Sequence, residues 1–483
     1  MKKVILTLTG IVLAIFIFAQ NEFDALRFSQ IYYYGTARSM AMGNAMTALG
    51  ADPGAVAYNP AAIALMRKSD FSFTPGFKDA QATADFNGHK QKDFRYSFTF
   101  NNFSLVFAGR KHNGLIRHFN FGVTYNRIRD FNQKLWIEGI NDKGSMLDDF
   151  MYNANGISPD NLNPFNTYLA YWTYLLDVAD STDYTYTNPL WIAGGPYYGE
   201  TQRKMAKQYG NGHSLDFTGG VNFNDFVYVG FSFAFIGMNY RSMSEYSEFN
   251  FNSAVDLQQF KFNENLRDEV SGFAGKLGVI ITPVKFLRIG AAVQSPYFLD
   301  VKDVYYSSIE SNWTTPDDQG NTNYLEESPV NTYNYRIVTP WRFSGGVGLI
   351  IGKILAVDVD YENVDYSMIR MDANDYSFAT ENQNIMSSFN STDNIRAGAD
   401  LRIGAFHLRG GYAYYGSPFE RMTPVMAFSA GMGYRTEGFY MDLGFQITNK
   451  SEKYWLYVPY TDEPMPTVNY SNVMFAVTVG TRF

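Results

Sequence analysis

Long stretches of this chain alternate apolar and polar or small residues with a period of two. In the segment FVYVGFSFAF, Val229, Phe231 and Phe233 occupy one set of positions, while glycine, serine and alanine occupy the other. Because successive side chains of a β-strand point to opposite faces, each stretch predicts a strand with one face in an apolar medium. Similar stretches include LAVDVDYE and FYMDLGFQI, and others lie near 94–101, 103–110, 117–127, 213–223, 273–282, 286–295, 342–351, 394–403, 405–415 and 425–435.

The apolar medium is interpreted as a lipid bilayer. A soluble sandwich gives the same alternation, but these stretches approach the 9 to 11 residues that a tilted membrane strand needs. The apolar rows of the quoted stretches carry no charge, whereas the opposite rows carry charges such as Arg396, Asp400 and Arg402. Charged residues on the inner row suit a wet or plugged barrel lumen.

The connections between the stretches alternate in length. Tight turns are predicted near Asn224–Asp225, Gly352–Lys353, Gly404 and Glu437–Gly438, and long polar loops at 128–212, 296–341, 363–392 and 450–471. Short turns on one rim and long loops on the other are typical of outer-membrane barrels. The sequence therefore predicts an all-β fold, a transmembrane antiparallel β-barrel of about 14 strands over residues 68–483, with long extracellular loops.

The last stretch, NVMFAVTVGTRF, places Phe475, Val477, Val479 and Phe483 on one apolar row. Arg482 lies on the other row, which predicts that it faces the lumen. A terminal strand that ends on an aromatic residue resembles the signal read by the outer-membrane barrel insertion machinery. These four apolar residues are our predicted insertion signal, and the machinery and the outer-membrane lipid are predicted partners.

The first residues, MKKVILTLTGIVLAIFIFAQ, combine two lysines with an apolar run. This run is short for a membrane-spanning helix and is typical of a signal peptide, which we place at residues 1–19. The large Ile17, three residues before the cleavage point near Ala19–Gln20, leaves the exact site open. A retained membrane anchor is the weaker alternative. Export combined with a strand-built membrane span predicts the bacterial outer membrane as the location.

Composition excludes several classes of function. The net charge of −8 and the lack of a clustered basic face give no support for nucleic-acid binding. There is no cysteine, so there is no thiolate site and no disulfide. No P-loop, G-x-G-x-x-G or G-x-S-x-G motif occurs, so we predict no enzyme activity and no cofactor. No metal site is predicted either, because no two histidines have ligand spacing, and each is interpreted as a rim or loop residue: His89, His112, His118, His213 and His407.

The segment 20–67 alternates poorly and is rich in glycine and alanine. A flexible leader would be polar, whereas this segment is apolar and small, which favours a compact hatch that plugs the barrel lumen.

This segment contains GTARSMAMGNAMTALGADPGAVAYNPAAIALM, which resembles the hatch of the FadL/OmpP1/TodX family of outer-membrane transporters, in a Bacteroidetes-like form. The family continues with glycine where this chain has Ala62. The stretches 276–296, 339–367 and 394–414 resemble later barrel strands of the family in the same order. The matched hatch residues, to which the resemblance assigns a hatch and gating role, are Asp52, Pro53, Tyr58, Asn59, Pro60 and Ala61.

The resemblance implies a 14-stranded barrel that passes hydrophobic small molecules, such as long-chain fatty acids or aromatic hydrocarbons, inward. Ligand binds in the lumen near the hatch, the hatch shifts, and the ligand leaves sideways through the barrel wall. The alternative is a FadL-like barrel that serves protein interaction or type IX secretion, with a protein partner at the extracellular loops. An open general porin is a weaker hypothesis, because the hatch is apolar.

Two further features admit more than one interpretation. The aromatic loop 168–198 is either a ligand-capturing lid or an ordinary packed loop, and its candidate ligand-binding residues are Tyr171, Trp172, Tyr174, Leu175 and Trp191. The row Asp358, Asp360 and Glu362 could suggest paired acid and base carboxylates, but its period of two favours a solvated lumen wall.

Overall fold

The computed structural model describes residues 22–110, 114–192, 195–457 and 464–483. The predicted signal peptide at 1–19 lies outside these residues and stays a prediction. Helices α1 to α5 span Glu22–Ser29, Ala37–Ala41, Met146–Ala154, Thr167–Trp172 and Ala379–Ser388. Short 3₁₀ helices span Pro53–Ala57, Pro60–Leu65, Pro159–Asn161 and Tyr366–Met368.

Twenty-one strands are present in the described residues. Strands β1 to β10 span Asp70–Phe86, His89–Arg110, Ile116–Asp130, Gln133–Asn141, Asp177–Asp180, Thr185–Thr187, Glu200–Phe223, Val227–Phe249, Leu257–Val284 and Leu287–Gln294. Strands β11 to β21 span Phe298–Trp313, Asn323–Glu327, Asn331–Val338, Arg342–Ile351, Leu355–Asp365, Arg370–Asp372, Ser391–Ile403, Phe406–Tyr415, Val425–Arg435, Phe439–Lys453 and Thr467–Arg482.

Fourteen of these strands pair antiparallel in a closed ring, which confirms the predicted barrel. The ring runs β1, β2, β3, β7, β8, β9, β10, β14, β15, β17, β18, β19, β20, β21 and returns to β1. Strands β4, β11, β13 and β16 extend wall strands on the side of the long loops. The last strand closes the ring on the first, with Phe77 opposite Phe475 and Asp70 opposite Arg482.

The predicted faces are also confirmed. On β8, Phe231, Phe233 and Phe235 are exposed on the outer face, whereas Ser232 and Ala234 are fully buried. Arg482 turns inward, as predicted, and its Nε lies 3.1 Å from the buried carboxylate of Asp70. The described part of the chain contains no helix that combines the length and apolar character needed to cross a bilayer.

The predicted boundaries of the long loops were partly wrong. β4 and the first half of β7 lie within 128–212, and β11 and β13 lie within 296–341. β9 has 28 residues, far more than a bilayer needs, because the wall strands continue past the membrane as a polar extension.

Residues 22–66 lie within the ring of strands and are mostly buried. Their apolar side chains form one cluster with inward residues of the wall, including Phe28, Met46 and Ile63 from the segment and Ile236 and Ile337 from the wall. We call this segment the hatch. Within the hatch, α2 covers only Ala37–Ala41, and Gly43 and Gly50 adopt positive φ angles that turn the chain beyond it.

A second apolar cluster covers the opposite end of the barrel. It joins the extracellular elements α3, α4 and β6 to the ends of the wall strands, through residues such as Leu147, Leu169, Leu175, Phe260 and Val468. We call the segment 142–192, which supplies most of its covering residues, the cap.

Candidate functional site: the hatch and the seam between β2 and β3

The two halves of the hatch motif perform the same structural task. Asp52 and Asn59 are the N-caps of consecutive 3₁₀ helices, and Pro53 and Pro60 follow each cap. Asp52 accepts a hydrogen bond from the Gly54 N–H at 2.9 Å, and Asn59 accepts one from the Ala61 N–H at 3.0 Å. Proline fits the first helical position because it lacks the N–H that would need a partner there. The motif therefore defines two tight turns of backbone.

The second cap also joins the hatch to the wall. Asn59 Nδ2 donates to the Thr47 carbonyl at 2.8 Å within the hatch and to the Val279 carbonyl of β9 at 3.2 Å. The Tyr58 hydroxyl donates to the Tyr33 carbonyl at 3.2 Å, and the Arg396 guanidinium lies 4.9 Å from the Tyr58 ring centre. One amide side chain thus fixes three segments relative to one another.

The acidic row of β15 binds the hatch, so the prediction of a solvated lumen wall was wrong. Asp360 accepts hydrogen bonds from the Met46 and Thr47 N–H groups at 2.8 and 3.0 Å. Asp358 accepts bonds from Leu49 at 3.0 Å and Ala48 at 3.3 Å. Both carboxylates are 0% exposed. Hydrogen bonds to a buried carboxylate are stronger than neutral ones, so this row holds the turn at 46–49 in one position.

Ten inward-facing glycines surround the hatch, and we call them the glycine collar. A Cβ atom at any of them would overlap or crowd hatch atoms, for example Pro60 at Gly230 and Met42 at Gly411. The members are Gly122, Gly220, Gly230, Gly278, Gly290, Gly346, Gly398, Gly411, Gly431 and Gly444. The wall approaches the hatch backbone directly, which close packing permits only where no side chain intervenes.

The strand ladder is interrupted on one side of the barrel. β2 pairs with β3 from Arg110 opposite His118 up to Asn102 opposite Asn126, and the pairing ends there. From this point toward the long loops, β2 pairs only with β1. On the other side of the boundary, the end of β3 and the whole of β4 pair only with β7. We call this unpaired boundary the seam. It begins where Asn101 bulges from β2 opposite Pro75 of β1, a residue that has no N–H to donate to a ladder.

A buried ion cluster links the end of β3 to β1 beside the seam. Asp130, at the end of β3, lies 2.9 Å from the Lys78 ammonium of β1 and 2.7 Å from the Arg127 guanidinium. The chain then breaks at Phe131 and Asn132, whose N–H and side-chain amide donate to the Gly210 carbonyl of β7 at 3.0 and 3.3 Å. Removing one member of such a buried cluster would cost about 3–5 kcal/mol, because the remaining charges would lose their partner.

The hatch contacts the part of β3 that no longer pairs with β2. The N–H groups of Tyr32 and Tyr34 donate to the carbonyls of Ile128 and Arg127 at 2.9 and 3.1 Å. These carbonyls lie immediately beyond Asn126, where β3 separates from β2. Sequence reasoning missed this contact because it assigned residues from 128 onward to a loop.

The seam is closed by side chains. The Arg95 guanidinium of β2 lies 3.9 Å from the ring centre of Tyr209 on β7, across the seam. On the outer face of the same part of β2, Phe94, Tyr96 and Phe98 are exposed by 50, 58 and 76%. An apolar surface therefore borders the seam on the side that faces the bilayer.

The structure divides the candidate residues of the aromatic loop. Leu175 is 0% exposed within the cap cluster, and Tyr171 packs against that cluster. Trp172, Tyr174 and Trp191 remain about half exposed, and the Trp191 Nε1–H donates to Asp148 at 2.7 Å. The loop is a packed cap with exposed aromatic rings on its outer side, and the described residues do not converge on one pocket.

The structure also places the residues of two smaller predictions, the insertion signal and the histidines. Phe475 and Phe483 of the last strand are exposed on the outer face, by 52 and 64%, while their role as an insertion signal stays a prediction. The assignment of every histidine to a rim or loop was wrong for His213, which lies within β7 and stacks on Tyr125. His407 is the second residue of β18, next to the turn at Gly404, and bonds Asp400 at 2.7 Å. His112 lies outside the described residues.

A closed antiparallel barrel with an apolar outer belt and a buried N-terminal hatch defines the class of hatch-containing outer-membrane barrels. The structure is similar to that of a Pseudomonas aeruginosa FadL homologue, with 11% sequence identity, a TM-score of 0.55, and coverage of 94% of this chain and 99% of that chain. It is also similar to the Pseudomonas putida toluene transporter TodX, with 10% identity, a TM-score of 0.51, and coverage of 93% and 98%.

No protein-family model matches the chain, and no curated protein matches its sequence. The resemblance to the FadL/OmpP1/TodX family is therefore confirmed at the level of the fold. The chain is a bacterial outer-membrane β-barrel.

Proposed function

We propose that this barrel transports hydrophobic small molecules, such as long-chain fatty acids or aromatic hydrocarbons, across the outer membrane and releases them sideways through the seam. The observation that carries the proposal is the end of the β2–β3 ladder at Asn102 and Asn126, beside an exposed aromatic row. Strands in a barrel wall normally satisfy each other's backbone groups, so an unpaired boundary is the weakest point of the wall.

Sideways release suits an apolar cargo. Such a molecule gains about 25 cal/mol for each Å² of surface removed from water, so it partitions into the bilayer and not into the periplasm. The rings of Phe94, Tyr96 and Phe98 provide an apolar path from the seam to the lipid. The similar Pseudomonas putida protein is described as a toluene transporter, which supports the same class of cargo.

The hatch gates this exit through its first part. The N–H groups of Tyr32 and Tyr34 donate to the β3 carbonyls of Ile128 and Arg127. A shift of residues 30–35 therefore changes the position of the strand that borders the seam. The motif residues Asp52, Pro53, Tyr58, Asn59, Pro60 and Ala61 have the opposite role and hold the later part of the hatch in place. Gating in this proposal moves only the first part of the hatch.

The experiment links the seam chemically. The chain has no native cysteine, so the pair R95C/Y209C can be joined by a short bifunctional thiol reagent without side reactions. The matched control pair is F77C/F475C, which lie opposite each other across the continuous β1–β21 boundary. Uptake of a labelled long-chain fatty acid and of labelled toluene is measured in a bacterial host that lacks its own transporters for both.

We expect linking the seam to abolish uptake of at least one cargo, and linking the control pair to leave uptake at the unlinked level. If uptake of both cargoes persists when the seam is fully linked, the proposed sideways exit is wrong. The proposal that the barrel transports these molecules would then still hold. If the unmodified protein raises uptake of neither compound above the empty host, transport of this cargo class is wrong.

The alternative, a protein-interaction barrel, is favoured by one observation. The cap exposes Trp172, Tyr174 and Trp191, and the neighbouring β12 exposes Leu325 by 61%. Exposed aromatic and aliphatic side chains that cluster on one surface are common at protein interfaces. A stoichiometric protein that copurifies from the native membrane, and that is lost from a W172A/Y174A variant, would favour this function.

A further inference from the structure

A polar depression of about 460 Å³ lies on the outer face of the barrel, away from both the hatch and the seam. It spans β8, β9, β11 and β13, and the segment after β16 completes it. Its outward side chains are exposed, whereas the alternate residues Met238, Val270, Val301 and Tyr335 of the same strands are buried toward the lumen. The depression therefore faces the surroundings of the barrel.

The depression lies immediately above the apolar belt. On β9 the outward residues Phe273, Leu277 and Ile281 are apolar, and the outward residues that precede them are Ser271, Glu269 and Arg267. Phe273 also stacks on Phe298 of β11, with ring centres 5.4 Å apart. At about 3.3 Å per residue, the floor of the depression begins about 7 Å beyond this aromatic pair. Aromatic rings mark the membrane interface, so the depression lies at the level of the outer-leaflet headgroups.

The lining combines two kinds of polar group. Amide and hydroxyl groups come from Asn239, Asn334, Asn374 and Ser271, and carboxylates come from Glu269, Asp300 and Asp372. Such groups exchange hydrogen bonds with sugar hydroxyls, since amides both donate and accept and carboxylates accept. The cations are Lys302 and Arg336, whose ammonium and guanidinium groups bind phosphate.

The lining holds three carboxylates and two cations, and Asp372 lies opposite Arg336 in the strand register. Arg336 lies 3.2 Å from Asp300, and Glu269 is paired at 2.7 Å with Arg267, just outside the depression. Within the described residues Lys302 forms no ion pair. It lies between Glu269 and Asn334 in the strand register, in the middle of the lining. Arg336 and Asp300 are exposed by more than half, so their pairing is weak and open to exchange with a ligand.

The opposite part of the wall differs at the same level. Above the belt on β20 and β21, the first outward residues are Asn449, Ser451, Ser471 and Asn469, all of them neutral. The charged depression therefore has no counterpart at the same level on β20 and β21.

We propose that this depression binds the phosphorylated sugar headgroup of an outer-leaflet glycolipid, with Lys302 and Arg336 on the phosphate and the amides and carboxylates on the sugar hydroxyls. The acyl chains then lie along the aromatic belt at Phe235, Phe273 and Phe298, where apolar burial adds to the binding. The site fixes one lipid at the outer wall and makes no use of the lumen.

The test measures lipid binding by native mass spectrometry of the full-length barrel in detergent, titrated with diphosphorylated lipid A. The variant K302Q/R336Q removes both cations, and K90Q/K92Q removes two exposed lysines at the tip of β2 as a matched control. Retained heat-modifiable migration on gels shows that each variant is folded. Dephosphorylated lipid A and inorganic phosphate are titrated in parallel.

We expect K302Q/R336Q to weaken lipid A binding by about tenfold or more, while K90Q/K92Q binds like the unmodified protein. Dephosphorylated lipid A is expected to bind the unmodified protein as weakly as lipid A binds the double variant. Equal binding of lipid A to the unmodified protein and K302Q/R336Q would overturn the proposal. Displacement of lipid A by inorganic phosphate alone would also overturn it, since the site would then recognise free phosphate.

Discussion

The two ends of the barrel interior are filled by different kinds of packing. The hatch is rich in small residues, and its backbone rests against the glycine collar and on the carboxylates of Asp358 and Asp360. The cap packs large apolar side chains, such as Leu147 and Leu175, against wall residues such as Phe260. Contacts to backbone fix one position, whereas apolar contacts are less directional. The hatch therefore combines apolar burial with directional contacts to backbone, whereas the cap depends mainly on apolar burial.

The largest expected effect tests the burial side of this comparison. Leu175→Ala removes a fully buried side chain from the cap cluster and is expected to cost about 2–5 kcal/mol of local stability. Cleavage of the cap by an external protease should accelerate by roughly 30-fold or more, with the barrel's thermal transition unchanged. The control Trp172→Ala alters a half-exposed ring of the same loop and should change cleavage little. An equal fall in the barrel transition would show that cap and barrel unfold as one unit.

An intermediate effect tests the geometric side. Gly411→Ala introduces a Cβ that overlaps the backbone of Met42 and Gly43, and we expect a loss of about 1–3 kcal/mol. Gly410→Ala, one residue earlier on the same strand, faces open space and should be neutral. Hydrogen exchange at residues 42–49 measures the result. Unchanged protection in the Gly411 variant would contradict close contact between wall and hatch backbone.

The smallest expected effect concerns pH at the cap, above the membrane. Glu248 accepts hydrogen bonds from the Met146 N–H at 2.8 Å and the Tyr246 hydroxyl at 2.6 Å, and so anchors the start of α3. Burial raises the pKa of Glu248, and burial together with the neighbouring Glu248 carboxylate raises the pKa of Glu200. Both groups are nearly inaccessible to solvent.

A carboxyl whose folded pKa is raised binds its proton more tightly in the folded state, so stability falls as pH rises above its ordinary value of about 4.3. Protection of α3 from hydrogen exchange, corrected for intrinsic rates, should therefore fall between pH 5 and 8. Glu200→Gln should reduce this fall by about 1 kcal/mol, whereas the exposed Glu327→Gln should not. A flat pH profile in the unmodified protein would contradict the buried pair.

Local signals made the barrel and the hatch predictable. Period-two alternation depends only on neighbouring residues, so it identified which face of β8, β15 and β20 meets lipid. The N-capping bonds of Asp52 and Asn59, each followed by proline, reach only to Gly54 and Ala61, so a short motif could identify them.

The seam and the acidic row were not predictable in this way. The seam depends on Asp130 meeting Lys78, which lies 52 residues away, and no local pattern signals that pairing. Asp358 and Asp360 were read as solvated because alternation shows which side of the wall a residue faces and not what occupies the lumen. The depression at Lys302 and Arg336 likewise draws on four strands and a loop.

Short segments of the sequence are enough to predict a membrane barrel with a small-residue N-terminal plug, because alternation and local composition depend only on nearby residues. The tertiary structure alone fixes where the wall opens, which carboxylates bind the hatch, and which aromatic residues of the loop are buried. Those features depend on residues brought together by ring closure, and the contacts that decide them exist only once every strand has found its partner.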